Sequence, residues 1–133
     1  MSSLHRQQLE AWLRLIDVRA ERVLDVGGGQ LRVSGRTKTW DVRFYDVLDN
    51  NAEFNPHLFR DLNQPFGMQL VHLYDVVFCL EVMEYLHDPL TAHRNLLGFL
   101  KPGGVAYVSY GLWYPLHNPP GEDRLRYTRN GVE

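Results

Sequence analysis

Apolar residues recur near helical spacing at Leu4, Leu9, Trp12, Leu13 and Ile16, behind Ser2 and Ser3, either of which can cap a helix. The pattern predicts an amphipathic helix in the first 20 residues. It then changes. Arg22 to Val26 is a short apolar run that enters three glycines, Gly27, Gly28 and Gly29. Trp40 to Tyr45 alternates and is rich in aromatic and β-branched residues, which predicts a second strand. His57 to Leu62 reads as a short third strand. Tyr74 to Leu80 is almost continuously apolar, as expected of a strand covered on both faces. Pro89 to Leu100 carries Leu90, Leu96, Leu97 and Leu100 on a helix, and Lys101-Pro102-Gly103-Gly104 reads as the turn that ends it. Val105 to Tyr110 is a fifth strand.

Strands separated by helical segments imply crossover connections, hence a mostly parallel sheet with helices on both faces. The expected fold is α/β, a Rossmann-like three-layer sandwich. Residues 1–133 read as one domain, with an N-terminal helix over 1–20 and a core over 21–133. Ligands of such sheets bind at the carboxyl ends of the strands. The loops after Val26, Tyr45, Leu80 and Tyr110 are therefore the ones to watch.

Composition narrows the class. Hydrophobic residues make up 44% and charged residues 23%, an ordinary globular mix. The net charge of −2 shows no basic excess, so no nucleic-acid partner is expected. Cys79 is the only cysteine, which rules out an intrachain disulfide and suits a reducing compartment. No apolar run approaches a membrane span and no secretory signal is visible, so a soluble cytoplasmic protein is expected. His5, His57, His72 and His93 are too dispersed to suggest a metal site.

The candidate chemistry starts at Val23-Leu24-Asp25-Val26-Gly27-Gly28-Gly29. Glycines after a strand let the backbone turn and approach a ligand closely. Asp25 can hold that loop through backbone N–H groups, or face a cationic ligand group. A dinucleotide fingerprint would need a third glycine where Arg32 stands. It would also need a helix after the loop, and Ser34, Gly35, Thr37 and Thr39 form helices poorly. Asp46 lies 21 positions after Asp25, at the expected end of the second strand, where an acid can accept ribose hydroxyls. Asp49 is the second candidate for that place.

Together these segments resemble the class I S-adenosylmethionine-dependent methyltransferases of the methyltransferase-11 and -23 type. Val23 to Gly29 is similar to motif I, and Tyr45-Asp46 to the acidic end of motif II. Asp61-Leu62-Asn63-Gln64-Pro65-Phe66 is similar to the segment that contacts adenine. Tyr74 to Pro89 resembles the fourth-strand motif, and Leu100 to Gly104 the turn before the fifth strand. Two departures stand out. The family's third glycine near Gln30 and Leu31 is missing, and Tyr85 replaces the usual histidine.

The resemblance implies S-adenosylmethionine as cofactor and methyl transfer to a small-molecule acceptor. Asp25, Gly27, Gly28, Gly29, Asp46, Asp61, Leu62, Leu80 and Glu81 are the implied cofactor contacts. Glu81 either approaches the cofactor's ammonium group or caps the next helix. Tyr85, Tyr110, Trp113 and Tyr114 are candidates to line the acceptor pocket, and His117 is the candidate base. Asp123 to Gly131 carries three arginines, read either as a solvated turn or as a contact for an anionic substrate or partner. Family members continue with further strands, so an open sheet edge is expected, and with it a homodimer or a partner across that edge. The other readings are a non-catalytic relative that binds the cofactor or a protein, and a nicotinamide-dependent oxidoreductase.

Overall fold

A computed structural model describes residues 2–67, 71–112 and 123–133. Its elements are α1 (Leu4–Leu13), β1 (Asp17–Val26), β2 (Thr39–Asp49), β3 (Leu58–Phe59), β4 (Tyr74–Cys79), α2 (Pro89–Phe99), β5 (Leu100–Val108) and α3 (Arg129–Val132). Short 3-10 turns lie at Ala52–Phe54 and Met83–Tyr85. The strands form one sheet in the order β3-β2-β1-β4-β5, and every neighbouring pair is parallel.

The pleat of β1 explains the layers. Val23 faces α1 and packs with Leu9, Leu13, Val18, Val33 and Phe78. Leu24 and Val26 face the other side and pack with Val77, Cys79 and α2 residues Ala92, Leu96 and Phe99. Helices thus cover both faces of a parallel sheet, the expected three-layer sandwich. Ser3 caps α1 by accepting from the Arg6 N–H at 3.2 Å. Asp88 caps α2 by accepting from the Thr91 N–H at 3.0 Å, with Pro89 in the first turn.

Several boundaries differ from the sequence reading. The N-terminal helix does not extend over 1–20: α1 ends at Leu13, and β1 already begins at Asp17, where it pairs with Thr39 of β2. β5 spans Leu100–Val108 rather than Val105 to Tyr110. β2 does not end at Tyr45. It continues through buried Val47 and Leu48 to Asp49, in register with β1 up to the Val26–Leu48 pair. Asp46 therefore sits inside the strand. β3 shrinks to two residues, because only Leu58 and Phe59 pair with β2. Lys101 to Gly104 is no separate turn. The chain passes from α2 directly into β5, with a register irregularity opposite Tyr74 and Val76. The glycines allow that bulge: Gly103 adopts φ +79°, and a Cβ on Gly104 would lie 2.9 Å from the Lys101 carbonyl oxygen. No helix follows the glycine loop between β1 and β2. No helix among the described residues is long and apolar enough to cross a membrane.

Candidate functional site

A cavity of about 660 Å³ opens at the carboxyl ends of β1, β2 and β4. That is the size and place expected of a small-molecule site in such a sheet. Three neighbouring glycines shape its floor, each against a different side chain. Gly27 turns at φ +76° and donates its N–H to the Leu48 carbonyl at 2.7 Å. A Cβ there would lie 2.2 Å from Cγ2 of Val82. A Cβ on Gly28 would lie 2.3 Å from the Asp25 carboxyl carbon. A Cβ on Gly29 would lie 2.6 Å from Oδ2 of Asp49. Any side chain at these positions would displace the two carboxylates or Val82.

Asp25 holds the loop. Its carboxylate accepts from the Val33 N–H at 2.7 Å and from the Tyr45 hydroxyl, and it also lines the cavity. Burial pushes its pKa up to about 6, against the opposing pull of the Tyr45 and Val33 hydrogen bonds. Burial and the adjacent Asp25 charge push the Tyr45 hydroxyl up as well.

Asp49, not Asp46, closes β2 at the cavity. Its Oδ2 accepts from the Gly29 N–H and its Oδ1 from the Asn51 N–H, both at 3.0 Å. Each carboxylate oxygen has two lone pairs, so acceptor capacity remains on both. The expected position of Asp46 is corrected. It stands three residues before the strand end, is absent from the cavity lining, and accepts from the Tyr74 hydroxyl at 2.8 Å. That bond satisfies the polar end of a buried tyrosine, which is 1% exposed.

The remaining wall comes from two loops. Asp61 and Leu62 line the cavity. Asp61 accepts from the backbone and side-chain N–H groups of Asn63. Asn63 in turn accepts from the His87 and Asp88 N–H groups, which ties this loop to the start of α2. Leu80, Glu81, Val82 and Tyr85 line the β4 side. Glu81 sits at φ +56°, with its N–H donated to the Ser109 hydroxyl at 2.7 Å. Its carboxylate forms an ion pair with Arg6 of α1. It caps neither following element: the 3-10 turn starts at Val82 with no side-chain cap, and Asp88 caps α2.

Gly29 is not itself a lining residue; it supports the floor from behind, bonded to Asp49 and close against Phe54, both of which line the cavity. Tyr110 also stands outside the lining. It stacks on His93, shares a 2.7 Å hydrogen bond with Nε2 of that ring, and meets Tyr127 edge-on. The expectation that Tyr110 borders the pocket is therefore corrected, because its ring belongs to the cluster on the α2 face. Trp113, Tyr114 and His117 lie outside the described residues. Cys79 is fully buried, and burial pushes its thiol up, as fits a core residue.

The sequence reading did not anticipate Arg6, Arg36, Phe54 or Arg60 in the lining, and it offered Arg124 only as one of three arginines read either as a solvated turn or as a contact for an anionic substrate or partner. Their places depend on contacts between distant segments, which leave no local pattern. Asp49 had a usable signal: Val47 and Leu48 continue the strand pattern and carry its end three residues beyond Asp46.

The methyltransferase domain family matches residues 3–129. A ubiquinone biosynthesis O-methyltransferase of Rickettsia felis is 30% identical over 103 residues, covering 70% of this chain and 42% of that protein. The protein of the same name from Neisseria meningitidis serogroup C is 32% identical over 108 residues, covering 70% of this chain and 45% of its own length. The citrinin polyketide synthase CMeT domain superposes with a TM-score of 0.58 at 18% identity, over 81% of this chain and 35% of that one. The chain belongs to the methyltransferase domain family, and within it to the class I, methyltransferase-23/11 type. It spans less than half the length of these two curated relatives.

Proposed function

We propose that the cavity binds S-adenosylmethionine and that the chain carries its methyl group to a hydroxyl oxygen of a small molecule. The observation that carries this reading is the placement of Asp49 at the end of β2, bonded to the glycine loop and bordering the cavity. The surrounding residues fit that cofactor. Asp49 would accept the ribose hydroxyls with its remaining lone pairs. Phe54 and Leu62 offer apolar faces for adenine, and Asp61, which precedes Leu62 in sequence, is also in the lining. Asp25 and Glu81 supply negative charge suited to a ligand with an ammonium and a sulfonium group. A dinucleotide fits less well, since no helix follows the glycine loop to receive a pyrophosphate.

The bound cofactor supplies an activated methyl group on a good leaving group. The chain's own part is positioning and exclusion of water. The glycine loop and Asp49 fix one end of the ligand, and Leu80, Val82 and Leu86 make the β4 wall apolar. The choice of oxygen as acceptor atom draws on the names of the O-methyltransferase relatives. Formation of S-adenosylhomocysteine should be measured with phenol, aniline and thiophenol as a matched set. Turnover with phenol above the other two supports the reading. Turnover confined to aniline or thiophenol would overturn the choice of oxygen, and none with any of the three would contradict methyl transfer to such acceptors.

A further inference from the structure

Four arginines line the cavity, and they are not equivalent. Arg6 is paired with Glu81, and Arg36 with Glu10. Arg60 donates to the neighbouring Phe59 carbonyl and belongs to the β3 end, beside Asp61. Arg124 makes no side-chain hydrogen bond or ion pair among the described residues, yet its backbone is firmly placed. The Arg124 and Leu125 N–H groups both donate to the Glu84 carbonyl, at 2.8 and 3.0 Å. Tyr127 donates its N–H to the Gly111 carbonyl at 2.9 Å and its hydroxyl to the Met83 carbonyl at 3.2 Å. Residues 123–127 are thus strapped across the loop that follows β4.

The other two arginines of this segment have evident structural work. Arg126 grips Asp123 through two hydrogen bonds of 3.2 Å, and the Asp123 side chain is only 4% exposed. Arg129 pairs with Glu133 on the surface. Of the three, Arg124 is the one that lines the cavity, and its backbone N–H is bonded to the Glu84 carbonyl, next to the lining residue Tyr85.

We infer that Arg124 selects an acceptor carrying an anionic group, a carboxylate or a phosphate, which it engages through its guanidinium. The inference rests on the cofactor reading above, which assigns Asp49, Phe54, Leu62, Asp25 and Glu81 to the cofactor and leaves Tyr85 and Arg124 to the acceptor. A guanidinium presents a planar fork that matches such oxyanions, and charged hydrogen bonds are roughly twice as strong as neutral ones. Fixing the Arg124 backbone through Glu84 lowers the ordering cost of that contact.

The test uses phenylacetate and phenylacetamide, probes of equal size that differ in charge. Each is titrated calorimetrically into the chain saturated with S-adenosylhomocysteine. The expected result is roughly tenfold tighter binding of phenylacetate, lost in Arg124→Gln and kept in Arg129→Gln, which removes an equal charge from the same segment. The preference should also fall as salt is raised. Equal affinity for the two probes in the unmodified chain would overturn the inference, as would a preference that survives Arg124→Gln or disappears in Arg129→Gln. The prior titration with S-adenosylhomocysteine reports on the cofactor reading separately. Arg124→Gln is expected to leave that affinity within about twofold, since its effect belongs to the acceptor side.

Discussion

The two sides of the cavity are built differently. On the β1–β2 side, three consecutive glycines meet Val82, Asp25 and Asp49 at distances no side chain would tolerate, and both carboxylates accept backbone N–H groups of the loop region. On the β4 side, Glu81 is held by Arg6 from the first helix, and the 123–127 segment is strapped on through the Glu84 carbonyl. The first side is tightly packed around one contiguous run of glycines. The second depends on side chains brought together from opposite ends of the chain. A tightly packed floor suits an invariant ligand, and a wall made of long side chains is easily altered to suit a particular acceptor.

The comparison is sharpest for substitutions that add one carbon to the floor. Gly28→Ala drives a Cβ into the Asp25 carboxylate. It should destabilise the chain by about 3 kcal/mol in urea melts, the upper range for overpacking. Retention of full stability would mean that the floor is loose.

A similar magnitude is expected from pH. Asp25 titrates at about 6 in the folded chain, against an ordinary 3.8. The folded state therefore favours the protonated acid. This contribution is fully present below the unfolded value and is lost as pH rises through about 6. The shift of roughly two units corresponds to about 3 kcal/mol. Urea melts between pH 4 and pH 7 should show the stability difference between the unmodified chain and Asp25→Asn moving by about that amount, in favour of the variant at higher pH. A pH-independent difference would contradict the burial of a charged Asp25.

The β4 side should respond less. Arg6→Ala removes an ion pair whose arginine is 32% exposed. A loss of about 0.5–1 kcal/mol in the same melts is expected, because solvent screens such a pair. A loss as large as that of Gly28→Ala would erase the distinction between the two sides.

The contrast also separates what was legible in the chain. Val23 to Gly29 reads directly as a strand entering a glycine loop, because the signal is contiguous. The continuous apolar run of β4 and the capped pattern of α2 are equally plain. The end of β2 was misplaced because Asp46 breaks the apolar pattern. Its polarity is accounted for by Tyr74, 28 residues away, which no local reading can supply. Tyr110 was assigned to the pocket from its position after β5, whereas His93 and Tyr127 draw its ring to the α2 face. Arg6 and Arg124 come to the site from opposite ends of the chain, through contacts with Glu81 and Glu84 that no local pattern reveals.

The central claim is that Asp49, at the end of β2, is the cofactor's anchoring acid. Calorimetric titration with S-adenosylhomocysteine tests it most directly, using the unmodified chain, Asp49→Ala and Asp46→Ala. Binding should weaken by about 10- to 100-fold in Asp49→Ala, the range for a lost charged hydrogen bond. Asp46→Ala should keep its affinity within about twofold while losing roughly 1 kcal/mol of stability with the Tyr74 bond. Affinity lost in Asp46→Ala and kept in Asp49→Ala would contradict the account.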